Sequence, residues 1–239
     1  MVGKIFTASG LIGLMLFIIS TTIVGCDKEK SPEFVEMTFV IPFSVTPIRS
    51  IKIGDTLWLS ADFPDTILEL NSMKYYKLIN MDFKELFAVF KLSNNDLTIS
   101  QQPGGLNAFT ILEKKGTLND PSETFADLKF SYANEKYSFM VGFVPSAIGI
   151  YCLNIAWPTQ LHEGFDEGLN LENYVDLGVT NDGRKRIPIH KATYVVINNG
   201  KTNFDLFQQN CKAVSLSVPI VEGNVYYEQK GTFTFEVVL

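Results

Sequence analysis

Residues 34–45 read FVEMTFVIPFSV, and every second side chain is large and apolar. Val35, Met37, Phe39, Ile41, Phe43 and Val45 fall on one side of an extended chain, opposite Glu36, Thr38 and Ser44. Successive side chains of a strand point to opposite faces, so this stretch predicts a strand with one buried face. The pattern returns at the far end of the chain, where GTFTFEVVL (231–239) brings Phe233, Phe235, Val237 and Leu239 together.

Between these two runs the alternation recurs. IKIGDTLWLSADF (51–63) aligns Ile51, Ile53, Leu57, Leu59 and Phe63. ELFAVFKLS (85–93) is apolar on both faces, as a strand covered on two sides must be. KFSYANEKYSFMVGFV (129–144) predicts two strands around residues 133–136, and GIYCLNIAW (149–157) groups Tyr151, Leu153, Ile155 and Trp157. ATYVVIN (192–198) is β-rich, and AVSLSVPI (213–220) alternates Val214, Leu216, Val218 and Ile220 with small polar residues. Strands at short intervals, with turn residues and no long helices between them, predict a mostly β protein built as an antiparallel β-sandwich.

Helix is confined to one or two short pieces. TNFDLFQQNC (202–211) offers Thr202 or Asn203 as a cap, Asp205 in the first turn, and Phe204 with Phe207 on one side. A second turn is expected near ETFADL (123–128). The segment from His162 to Arg186 alternates poorly and holds several glycines, so it is the longest candidate loop.

The sequence has 239 residues, with 19 Phe and 9 Tyr to fill a β-type core. Its formal charge is −6 and it carries no basic stripe, which excludes the electrostatic footprint of a nucleic-acid binder. Only 2 histidines are present, and none of the usual nucleophile-elbow, Ser-x-x-Lys, His-Glu-x-x-His or Cys-x-x-Cys patterns occurs. The expectation is a protein that is not an enzyme and holds no cofactor or metal.

At the N-terminus, Lys4 is the only charge before Asp27. The apolar run from Leu11 to Ile19 has the length of a signal-peptide core, whereas a membrane-spanning helix needs roughly 20 apolar residues. Ile23-Val24-Gly25-Cys26 ends the run and resembles a bacterial lipobox. That resemblance implies cleavage before Cys26 and acylation of its sulfur and new amino group; the alternative is an uncleaved membrane helix. Each buried CH₂ of an acyl chain contributes about 0.8 kcal/mol, and two chains anchor where one holds only marginally. The layout is then a signal peptide at 1–25, a charged tether at 26–33 and a β-sandwich domain at 34–239. A subdivision near residue 120 is equally easy to draw.

IGDTLWLSADFPDTI (53–67) and FVPSAIGIYCLNI (143–155) together resemble a family of uncharacterised lipoproteins of the Bacteroidetes. The resemblance lies in a Gly-Asp-Thr-Leu-Trp strand after the tether and, later, in Phe143, Pro145, Gly149 and Tyr151. It implies an immunoglobulin-like fold and a lipid-anchored place in the bacterial envelope, at the outer membrane, on its periplasmic or surface face. Tyr151 also resembles the tyrosine of an immunoglobulin corner, but Cys152 follows it directly, so the two should face opposite ways.

Four kinds of site are weighed. Cys152 and Cys211 could close a disulfide in an oxidising compartment, or sit buried as small apolar residues. Trp58 shares its register with Lys52, Thr56, Ser60 and Asp62, so it is either a stacking platform for a sugar or peptide or a ring covered by a neighbour. Thr66, after Asp65, matches a short Asp-Thr-aliphatic O-glycosylation pattern, as Thr56 does less well. Glu163, Asp166 and Glu167 beside His162 could hold Ca²⁺ or form a solvated acidic loop; His190 has no evident partner and is read as structural. The expected function is a lipoprotein that binds or scaffolds an envelope protein, held to the membrane by its lipid. The alternatives are a glycan-binding lipoprotein beside an uptake system and a carrier of an apolar ligand.

Overall fold

The computed structural model describes residues 30–83, 85–156, 168–212 and 230–239. The readings at residues 1–26, at Trp157, at His162 to Glu167 and at 213–220 lie outside them.

The opening strand, β1 (Glu33–Val45), buries Met37, Phe39, Ile41, Phe43 and Val45 as the alternation requires. It is the spine of the first sheet. On one side it pairs in parallel with β14 (Arg186–Ile197), from Glu33 opposite Arg186 to Phe43 opposite Ile197. On its other side it meets β3 (Leu57–Pro64) at Ser44 and Val45, and β4 (Thr66–Glu69) at Phe39. Beyond β3 lies β11 (Lys136–Pro145), flanked by β10 (Ser131–Ala133) and β7 (Phe109–Lys115). β5 (Lys74–Lys77) extends β4, and β13 (Leu169–Asn170) extends β14.

The second sheet runs in the order β2 (Ser50–Lys52), β15 (Thr232–Val238), β12 (Gly149–Ala156), β6 (Glu85–Leu92), β9 (Phe125–Lys129) and β8 (Thr117–Asn119). The sheets enclose one apolar cluster holding Phe39, Ile41 and Phe43 from the first and Phe87, Leu153 and Phe235 from the second. Leu118 and Ala126, on either side of residue 120, both belong to it. The fold is thus a β-sandwich. The β1–β14 and β2–β15 pairs are parallel, so the sheets are mixed, which alternation alone does not reveal because both pairings share its period.

Strand β6 is covered on both faces, as its continuous apolar run predicts. Phe87 and Val89 enter the main core, while Ala88, Phe90 and Leu92 join a smaller cluster with Ile99, Cys152 and Phe207. The helix α1 (Phe204–Asn210) closes that outer layer with Phe207. Asn203 stands at the N-cap position, yet its side chain does not cap. Its amide donates instead to the carbonyls of Ile48 and Thr234, both at 2.8 Å, and so ties the helix start to the second sheet.

Three local expectations are corrected. Ile53 is 40% exposed because the turn at Gly54 (φ +87°) breaks the register, sending β2 to one sheet and β3 to the other. The last four residues of ETFADL enter β9, since pairing with both β6 and β8 outweighs any local helical preference. Asn203, as above, is a staple rather than a cap.

Strand β1 defines two ends. Glu33 and Arg186 mark one, and the Glu33 amide donates to the Lys185 carbonyl at 2.9 Å. Val45 marks the other, where the Gly54 amide reaches the Pro145 carbonyl at 3.2 Å.

Candidate functional site

Trp58 lies on the outer face of β3, half-buried, directly across from Gly142 of β11. The indole rests on that glycine: a Cβ added to Gly142 would stand 3.0 Å from the ring. Above the ring, the Lys114 ammonium sits 4.1 Å from the ring centroid, a cation–π contact. Both faces of the half-buried ring thus meet a neighbour, and ligand stacking there requires the exposed Lys114 to swing away.

Tyr151 and Cys152 face opposite ways, as their adjacency predicts. Tyr151 packs in the main core against Phe109, with centroids 4.9 Å apart, and its hydroxyl donates to the Ala147 carbonyl four residues upstream, at 3.2 Å. Cys152 lies in the outer cluster, which also contains Cys211. Both side chains are deeply buried. Thr66 is exposed as the first residue of β4, and its hydroxyl donates to Asp65 Oδ1 at 3.4 Å. Thr56 is half-buried, its methyl facing Gly142.

The constellation that sequence reading missed is buried between the sheets. Glu85 opens β6 in the second sheet, whereas His190 and Thr193 stand on β14 in the first. Residues 190 and 193 would normally point to opposite faces of a strand. Here β14 slips by one residue between the partners of Met37 and Thr38, leaving Lys191 as the extra residue of a bulge. That insertion turns both side chains toward the core. Thr193 Oγ1 donates to Glu85 Oε1 and lies 3.2 Å from His190 Nε2, while His190 Nε2 and Glu85 Oε1 are 4.0 Å apart.

Phe39 and Phe83 wall this group, with ring centroids 5.5 and 6.0 Å from His190. Desolvation pushes Glu85 up to about 8; the Thr193 hydrogen bond opposes this and nearby Asp82 adds to it. Desolvation likewise drives His190 down to about 4, opposed by the Met37 carbonyl. Near neutral pH the group is therefore a protonated acid, a hydroxyl and a neutral imidazole. Glu85 Oε2 and His190 Nδ1 have no hydrogen-bond partner among the described residues.

This is not the order of a hydrolytic triad, in which the imidazole separates hydroxyl and carboxylate. Here the hydroxyl stands between the other two, and all three are sealed from solvent. The arrangement is a neutral polar bridge joining the sheets. Glu69 makes the contrast. It is as buried in the fold, but amides of Ser72, Thr38 and Asn71 donate to it at 2.6, 3.1 and 3.0 Å. Desolvation alone would raise its pKa; these hydrogen bonds outweigh that and hold it below the usual carboxylate range.

One cue to the bridge is legible along the chain: Glu85 is an acid at the head of a largely apolar strand. No cue marked the bulge. Among the described residues, no group of three or more His, Cys, Asp or Glu is placed to hold a metal ion, and no helix is long and apolar enough to cross a membrane. Compared with protein-family models, curated proteins and solved structures, the chain matches none.

Proposed function

We propose that this chain is a lipid-anchored protein of the bacterial cell envelope, acylated at Cys26, whose immunoglobulin-like sandwich binds or scaffolds an envelope protein and performs no catalysis. The observation that carries this reading is Ile23-Val24-Gly25-Cys26 at the end of an apolar run, four residues before Lys30, where the described body begins. Exposed Ile53 and Ile148 favour a protein partner at the end of the sandwich away from the tether.

Intact mass of the membrane-extracted protein tests the anchor. The expected polypeptide begins at Cys26 and carries diacylglyceryl and acyl mass. A chain starting at Met1 with an unmodified thiol would overturn the reading. Peptide masses from the same sample check two further proposals, a sugar on Thr66 and a Cys152–Cys211 disulfide in the exported protein.

A glycan-binding role is the second reading, favoured by the partly exposed Trp58 ring with the exposed Lys114 side chain above it. Trp58→Ala is expected to abolish binding on a glycan array while the variant stays folded below a somewhat lowered melting temperature, since the indole also packs on Gly142. Undiminished binding by that variant would remove Trp58 as the platform.

A further inference from the structure

Resting on the Cys26 anchor, we propose that the Glu33 end of the sandwich lies on the bilayer, with exposed Phe34 and Val179 entering the headgroup layer and the cations around them facing lipid phosphates.

The geometry of the chain start carries this. Lys30, the first described residue, donates from Nζ to the Asp182 carbonyl at 2.5 Å, which pins the tether to the 179–185 turn. Three residues later the Glu33 amide is fixed to the Lys185 carbonyl. An extended chain spans at most ~3.5 Å per residue. Cys26 thus lies within about 14 Å of Lys30 and about 25 Å of Glu33, so a lipid on its sulfur brings this end of the body to the membrane surface.

The chemistry of that end fits such a surface. Phe34 is 60% exposed and follows Glu33 directly, while Val179 is 67% exposed and bridges to Lys185. Aromatic and aliphatic side chains among cations suit the boundary between headgroups and acyl chains. Beside Lys30, the side chains of Arg184, Lys185 and Arg186 gather here in a chain whose formal charge is −6. Arg184, Lys185 and Arg186 pair with the exposed or half-exposed acids Asp182, Glu172 and Glu33, whereas Lys30 stays on the Asp182 carbonyl. Exposed ion pairs are weak, so these cations can exchange carboxylate for phosphate. Ile53 and Ile148, also exposed, stand at the opposite end and cannot reach the bilayer while Lys30 holds the turn.

The test uses the full lipidated protein in phosphatidylethanolamine–phosphatidylglycerol vesicles, with an environment-sensitive fluorophore on Asn181→Cys or, as the opposite-end control, on Asp55→Cys. Native Cys152 and Cys211 are too buried to label in the folded protein. At position 181 the probe is expected to brighten severalfold, shift to the blue and be quenched by brominated lipid, while position 55 stays unchanged. Adding Phe34→Ser and Val179→Ser should abolish that gain without changing the melting temperature. Protein that floats with the vesicles but gives no difference between 181 and 55 overturns this proposal alone. Protein that fails to float overturns the anchor and this proposal together.

Discussion

Phe143→Ala is expected to lower stability by about 3–5 kcal/mol, the usual cost of emptying a buried phenylalanine site. Phe143 of β11 is fully buried and stacks on Phe87 of β6, with centroids 5.0 Å apart and ring planes 23° from parallel. Phe109 meets the same ring edge-on at 6.2 Å. The pair joins the two sheets, so truncation leaves a cavity between layers that neither backbone can close alone. At roughly 2–4 °C per kcal/mol for a chain of this size, the melting temperature falls by about 6–20 °C. Phe34→Ala, at an exposed position, should change stability by no more than about 0.5 kcal/mol. Equal melting of the two variants would show that Phe143 is not in the inter-sheet core.

Glu85→Gln is expected to remove a loss of stability that the natural protein suffers between pH 6.5 and 8. Folding raises the Glu85 pKa from 4.5 to about 8, so between those values the folded chain binds more protons than the unfolded one. Stability therefore falls as pH rises through that window. Folding lowers His190 from 6.5 to about 4, so the unfolded chain binds more protons there and stability rises with pH up to 6.5. The two slopes cancel between pH 4.5 and 6.5, and above 6.5 only that of Glu85 remains. At ~1.4 kcal/mol per pKa unit, the loss from pH 6.5 to 8 is about 2 kcal/mol. Glu69, whose pKa is lowered, contributes fully above its unfolded value of 4.5 and adds no slope in this interval. Glutamine keeps the shape and can still accept from Thr193, so its melting temperature should stay level over the same range. A natural protein that melts identically at pH 6.5 and pH 8 would show that Glu85 is not held protonated.

The bridge around Glu85 also shows where reading a single chain runs out. Alternation identifies β1 and β11 because burial on one face leaves a two-residue period, and an unbroken apolar run identifies β6 because it is buried on both. The turn between β10 and β11 is equally local: Asn134 and Glu135 adopt φ of 52° and 58°, as a tight hairpin turn demands. A bulge has no such signature. One unpaired residue in β14 sets His190 and Thr193 on the same side, and only the register against β1 reveals it.

The sequence by itself determined that this protein is mostly β, that β6 is covered twice, and that Tyr151 and Cys152 part to opposite faces. Each is a statement about neighbours along one strand, set by the two-residue repeat of the extended backbone. Tertiary structure alone decided the parallel partners of β1 and β15, the covering of Trp58 by Gly142 and Lys114, and the meeting of Glu85 with His190 and Thr193. Those contacts join residues tens of positions apart. They follow from which sheet each strand enters, a choice made by closing one shared core rather than by any local preference of the chain.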